Sequence, residues 1–192
     1  MIAGEAGGLR LTAPKGSRTR PTADRVKEAL FAALGPGRLA GASVLDCYAG
    51  SGALGIEALS RGAARALLVD RDPLAVDAIR RNLRSTKLAA RANVARRGVG
   101  TFLRATPPAP NAPFDLVFLD PPYDQPAGEL AGVLAALDGP GWLGEEATVV
   151  VERAASAGPP ALPPGWVVTW HRVYGDTLVV LAARAATRTD PH

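Results

Sequence analysis

The most chemically specific run in the chain is Asp120-Pro121-Pro122-Tyr123, directly after the apolar stretch Phe114–Leu119. Two prolines fix the backbone and remove two N–H donors, leaving carbonyls and the Asp120 carboxylate as a cluster of acceptors. Such a cluster suits an exocyclic amino group, which has two protons to donate. Tyr123 offers a ring on which a base taken out of its stack can lie. The nitrogen of such an amine is a poor nucleophile, because its lone pair is delocalised into the base. Hydrogen bonds to its protons favour pyramidalisation and turn the lone pair outward. Asp120 can also accept a proton as the nitrogen becomes cationic. In isolation, the same four residues also fit a rigid turn with a capping Asp.

A second constellation lies upstream. Asp46-Cys47-Tyr48-Ala49-Gly50-Ser51-Gly52-Ala53-Leu54-Gly55 contains G-x-G-x-x-G, and Asp70 follows Gly52 by 18 residues. That spacing satisfies the dinucleotide-binding description, in which the loop and a helix start face a pyrophosphate. Asp46 argues against that ligand. A carboxylate in the same crevice would repel the pyrophosphate by roughly 4 kcal/mol at ~4 Å and an effective dielectric near 20. A cationic ligand reverses the sign. S-adenosylmethionine carries a sulfonium, an ammonium and a ribose diol but no phosphate. Asp46 then suits its methionyl end, Gly50 and Gly52 allow close backbone approach, and Asp70 can accept both ribose hydroxyls.

These residues need a scaffold that brings strand ends together. From residue 42 the pattern alternates strand and helix: Val44-Leu45 ending at Asp46, a helix over 52–61, and Ala66–Val69 ending at Asp70. A helix from Pro73 to Arg84 follows, then a weak strand at 93–95, a short helix near 100–104 and the strand Phe114–Leu119. A helix near 129–137 and a strand at 148–152 precede two β-rich runs, 166–170 and 177–182, joined through Tyr174-Gly175-Asp176. This predicts an α/β fold, a mostly parallel sheet covered on both faces and closed by a hairpin. Ahead of it, Met1–Lys15 reads as a hairpin turning at Gly7-Gly8, then a basic loop. A helix runs from Thr22 to Leu34, with Val26, Leu30, Ala33 and Leu34 on one face. The expected units are an extension over 1–38, a catalytic domain over 39–186 and a tail over 187–192.

A length of 192 residues suits about one domain. No apolar run reaches the ~18 residues that span a bilayer, and no signal peptide is seen at the start. A single cysteine, Cys47, excludes a disulfide framework and a multi-cysteine zinc site, and suits a reducing cytoplasm. It reads as a small packing residue, with no base placed near it. His171 and His192 show no ligand spacing, so no metal is expected. Trp142, Trp166 and Trp170 read as core residues. The net charge of +4 hides an asymmetry of +10 over 1–104 against −6 over 105–192. Nineteen of the 22 basic residues are Arg, whose planar fork suits phosphate. A basic half points to a polyanion. Arg10, Lys15, Arg18, Arg20 and Arg25, in and beside the basic loop, are the better candidates for phosphate contact. Arg80, Arg81, Arg84, Arg91, Arg96 and Arg97 also fit solvated faces.

Asp46-x-Tyr48-Ala49-Gly50-Ser51-Gly52 together with Asp120–Tyr123 resembles the class I S-adenosylmethionine-dependent methyltransferases that modify exocyclic amines. Arg20-Pro21-Thr22-Ala23-Asp24-Arg25-Val26-Lys27-Glu28-Ala29-Leu30-Phe31 and Leu54–Arg61 narrow the likeness to the RsmD family, across nearly the whole chain. That resemblance implies a seven-stranded Rossmann-like sheet and methylation of guanine N2 in small-subunit ribosomal RNA, within an assembled or nearly assembled subunit. A monomer is expected. It implies a cofactor site at Asp46, Tyr48, Ala49, Gly50, Ser51, Gly52, Asp70, Arg71, Gly98 and Val99. The base amino group falls at Asp120, Pro121, Pro122 and Tyr123, and Arg20, Thr22 and Arg25 fall on a segment that covers the cofactor and approaches RNA. One departure stands out: Gly98 occupies a position near the adenine where the family often has an acid or amide, so backbone groups of Gly98 and Val99 must serve there. The residues leave open another nucleic-acid amino-methyltransferase, an NAD-dependent oxidoreductase and a non-catalytic RNA-binding module.

Overall fold

The computed structural model describes residues 1–14, 22–107, 110–122 and 125–186. Seven strands form one sheet in the order β3-β2-β1-β4-β5-β7-β6. They are β1 (Ser43–Cys47), β2 (Arg65–Asp70), β3 (Ala92–Arg96), β4 (Phe114–Leu119), β5 (Leu143–Ala154), β6 (Trp166–Tyr174) and β7 (Thr177–Arg184). Neighbours from β3 to β5 pair parallel, and β7 runs antiparallel to β5 and β6. The order reverses between β1 and β4, where a ligand crevice opens at the strands' carboxyl ends in sheets of this kind. Both the parallel body and the closing hairpin match the sequence expectation.

Alternation along each strand sorts the core into two layers. Val44, Leu68, Leu116, Phe118 and Val150 pack with apolar residues of α1 (Thr22–Leu34), α2 (Ala53–Ser60) and α3 (Pro73–Ser85). Leu45, Val69, Val117, Leu119 and Val151 pack with α4 (Val99–Leu103) and α5 (Ala127–Leu137). Helix α1 buries Val26, Leu30, Phe31 and Leu34. Phe31, rather than the expected Ala33, completes its apolar face: its ring lies 5.8 Å from that of Phe118, with the Arg61 guanidinium 4.8 Å from its centroid. Trp142 and Trp166 are buried, as read from the sequence.

The opening segment departs from expectation. Met1–Pro14 forms bends and turns and contains no strand. Instead of pairing with a second strand, its backbone bonds within its own turns, to the Ser60 carbonyl, and to side chains of α2 and α3. The buried Glu57 carboxylate accepts from the Ile2 and Ala3 N–H groups at 2.8 and 3.0 Å and from Arg61 Nε at 2.7 Å. Ser60 Oγ accepts from Ala6 N–H and donates to the Ala3 carbonyl. A buried charge is tolerable only when its acceptors are filled, and Glu57 reaches that state by holding this segment. β5 and β6 also extend beyond the predicted runs, β5 beginning at Leu143 and β6 ending at Tyr174. Gly144-Glu145-Glu146 has little strand propensity of its own; it is carried by pairing of Leu143 with Phe114 across an irregular register.

Candidate active site

Four strands run into an acid at the same edge of the sheet: Asp46 in β1, Asp70 ending β2, Asp120 just after β4 and Glu152 in β5. The turn after β1 is held by left-handed residues, Tyr48 at φ 59°, Gly50 at 56° and Gly52 at 78°. Tyr48 lacks the freedom of glycine, and this backbone faces its ring to the crevice, where its hydroxyl accepts from Gln125 Nε2 at 2.9 Å. Burial raises the Tyr48 phenol, with the Gln125 hydrogen bond opposing.

The N–H groups of the loop's three glycines are occupied. Asp70 Oδ2 accepts from Gly50 N–H at 2.8 Å, and its Oδ1 accepts from Asp72 N–H at 2.9 Å. Gly52 N–H donates to the Ala49 carbonyl, and Asp46 Oδ2 accepts from Gly55 N–H at 2.8 Å. Asp46 is 1% exposed, and a Cβ at position 55 would stand 3.0 Å from its Oδ2. Burial, with the Asp70 charge adding and the Gly55 N–H opposing, pushes Asp46 up to about 7. Asp46 therefore lies beneath the loop, and not on the crevice wall.

Two cavities, each of about 590 Å³, meet at Asp120. The first is lined by Tyr48, Asp70, Arg71, Gly98, Val99, Pro121, Pro122 and Gln125. The second has Ser51, Ala53 and Leu54 for its floor, Asp24 and Lys27 of α1 on one side, and Leu9–Leu11 and Ala13 as a roof, with Glu152 beside Asp120. Asp120 opens to both, while protein crowds it on its remaining sides. That crowding, and then the Asp46 charge, raises its carboxyl to about 7. Burial, then the charge of Asp120, raises Glu152 to about 8, against the pull of Lys27.

Asn82 of α3, 1% exposed, joins roof and floor. Its Oδ1 accepts from Thr12 N–H at 2.8 Å, while its amide donates to the Thr12 carbonyl at 2.9 Å and the Ser51 carbonyl at 2.8 Å.

Of the residues singled out in the sequence, Tyr48, Asp70, Arg71, Gly98, Val99, Asp120, Pro121 and Pro122 line the first cavity, and Arg10 and Ser51 the second. Ala49 and Gly52 are buried beneath the loop, and Cys47 is fully buried in the core, its thiol raised by that burial. Arg25 is exposed on α1. Tyr123, Lys15, Arg18 and Arg20 lie outside the described residues, as does the side chain of Thr22. Lys27, Asn82, Gln125 and Glu152 were not legible as site residues. Glu152 had a signal: it ends an apolar run at the same sheet edge as the other three acids.

A family model described as "Conserved hypothetical protein 95" matches residues 1–183. Ribosomal RNA small subunit methyltransferase D of Escherichia coli (strain K12) is 38% identical over 186 residues, 97% of this chain and 90% of that protein. The protein of the same name from Haemophilus influenzae (strain ATCC 51907 / DSM 11121 / KW20 / Rd) is 34% identical, over 91% of this chain and 88% of its own length. The solved structure of yhhF from Escherichia coli superposes with a TM-score of 0.83 at 35% identity, covering 97% of each chain.

Proposed function

Because this chain belongs to the RsmD family of methyltransferases, we propose that it moves a methyl group from S-adenosylmethionine to the exocyclic N2 of a guanine in small-subunit ribosomal RNA. The observation that carries this reading is the junction of two cavities at one acceptor, Asp120. One cavity takes the donor, the other the base, and the carboxyl between them faces the amine.

The residues fit the donor. A dinucleotide loop needs free N–H groups for its pyrophosphate, and here those of Gly50, Gly52 and Gly55 are already donated within the loop and to Asp70 and Asp46. What remains is a crevice rich in carboxylate, suited to a cationic nucleoside without phosphate. A volume of about 590 Å³ lies within the range of small-molecule sites. Asp70 keeps a lone pair on each oxygen for the ribose diol. The start of α4 offers backbone N–H groups without intrahelical acceptors, and these serve the adenine beside Gly98 and Val99. Tyr48, Ala49, Gly50, Ser51 and Gly52 flank the methionyl end, with the Asp46 charge beneath, and Arg71 borders the adenosine.

When bound, S-adenosylmethionine supplies an electrophilic methyl on a positively charged sulfur. Asp120 and the carbonyls of the Pro121-Pro122 turn accept from the guanine amino group and aim its lone pair at that methyl. As the nitrogen gains positive character, Asp120, whose pKa near 7 suits the task, takes up the surplus proton. The rest is alignment, which a rigid Pro-Pro turn favours. Tyr123 stacks on the base. Arg10, Lys15, Arg18, Arg20, Thr22 and Arg25 hold phosphates, giving register and not base choice. The enzyme acts in the cytoplasm, as a monomer, on an assembled or late-assembly subunit.

The test is transfer of labelled methyl to DNA, naked small-subunit RNA and subunit particles, with mass mapping of the RNA product. Label on a guanine N2 in the particle is the expected result. Label confined to DNA, or failure to bind S-adenosylhomocysteine, would overturn the reading.

A further inference from the structure

Within the second cavity, the Glu152 carboxyl has no hydrogen-bonding partner among the described residues, although it is only partly exposed and lies beside another acid. Its position follows from the sheet: Leu119 of β4 pairs with Val151 of β5, so the next residues, Asp120 and Glu152, stand side by side at the carboxyl edge. Alternation puts both on the α1 face, two residues beyond Phe118 and Val150, which pack in that layer. Lys27 lines the same cavity: its charge acts on Glu152, while its Nζ is 2.8 Å from Asp24 and its side chain 16% exposed. Asp120 and Glu152 thus offer two neighbouring acceptors to this cavity, and Lys27, held by Asp24, a donor.

Resting on the guanine-N2 reading above, we infer that Glu152 and Lys27 select the base: Glu152 accepts the guanine N1–H while Asp120 holds the N2 amine, and Lys27 donates to O6. The Watson–Crick edge of guanine runs donor, donor, acceptor from N2 through N1 to O6, which complements these groups. Adenine has no 2-amino group for Asp120 and turns a donor, N6, towards Lys27, so it forfeits both of those contacts. Two carboxyls side by side oppose each other's ionisation, and the guanine edge brings a donor to each.

Replacing the target nucleotide tests this atom by atom. 2-Aminopurine keeps the amine but has no N1–H and no O6. Small-subunit particles reconstituted with guanine or 2-aminopurine at the mapped position are compared by kcat/KM for the unmodified enzyme, Glu152→Ala and Lys27→Met. The unmodified enzyme should prefer guanine by about 10- to 100-fold. Each variant should lower guanine transfer much more than 2-aminopurine transfer, so that the preference shrinks towards unity. Binding of S-adenosylhomocysteine checks folding, and Lys27→Met carries the test if Glu152→Ala does not fold. Equal use of both bases by the unmodified enzyme, or variants that lower both alike, would overturn the assignment. Transfer to no guanine at all would instead sink the broader proposal.

Discussion

The two cavities that meet at Asp120 are built in different ways. The first is made by loops at strand ends, each leaving the sheet within a few residues of its acid. The second depends on a roof, residues 9–13, that belongs to neither sheet nor helix; Asn82 holds it at Thr12, and Glu57 and Ser60 anchor residues 2–6 just before it. On the proposed assignment of donor and base, local motifs specify the donor's side and tertiary tethers the substrate's side. A methyl donor is the same molecule for every enzyme that uses it, whereas the acceptor has to be told apart from its neighbours. The more contingent construction lies where that discrimination is made.

Breaking the shared wall should have the largest effect. Asp120→Ala is expected to lower kcat by about 10²- to 10⁴-fold while S-adenosylhomocysteine binding by calorimetry persists. Loss of binding with normal turnover at saturation would move Asp120 to the donor's side alone. Asn82→Ala strips hydrogen bonds from Thr12 and Ser51 together. It should lower stability by about 2–3 kcal/mol in denaturant unfolding, and raise KM for RNA more than for the donor. Equal rises would erase the distinction between the cavities.

A third expectation concerns pH. Asp46 and Asp120 are raised to about 7, so they are neutral in acid and ionised above that value. Their contribution to the stability of the free protein is greatest in acid and falls as pH rises through about 7. The sulfonium of S-adenosylmethionine gains from their ionisation and the neutral thioether of S-adenosylhomocysteine does not. The affinity ratio of the two should therefore rise severalfold from about pH 6 to pH 8, with proton release on donor binding. A flat ratio would remove the electrostatic account of the loop. The smallest effect is on the exposed α1: Arg25→Ala should weaken RNA binding modestly and reduce the slope of log affinity against log salt by about 1, leaving donor binding unchanged.

How far this was readable in the sequence follows the same division. The β/α alternation, Asp70, Asp120 and the glycine loop were legible because each is a local signal: an apolar run, a strand end, a turn. The N-terminal hairpin was misread because weak alternation in Met1–Pro14 does not reveal that Glu57 and Ser60 are its partners, some 55 residues away. Asp46 was assigned to the crevice by type and spacing, whereas its contact is the Gly55 N–H under the loop. Lys27 and Asn82 look like ordinary helix residues until the roof is laid over them.

Position 55 acquires an unexpected meaning. The last glycine of the pattern leaves room for the Asp46 carboxylate, since a methyl group there would press on its oxygen at 3.0 Å. Asp46 Cβ at 3.1 Å and Leu68 Cδ2 at 3.2 Å crowd the same point, so shortening the acid alone would not relax the glycine. Position 55 is tied to positions 46 and 68 together, which sets this turn apart from phosphate-cradling turns of the same spelling.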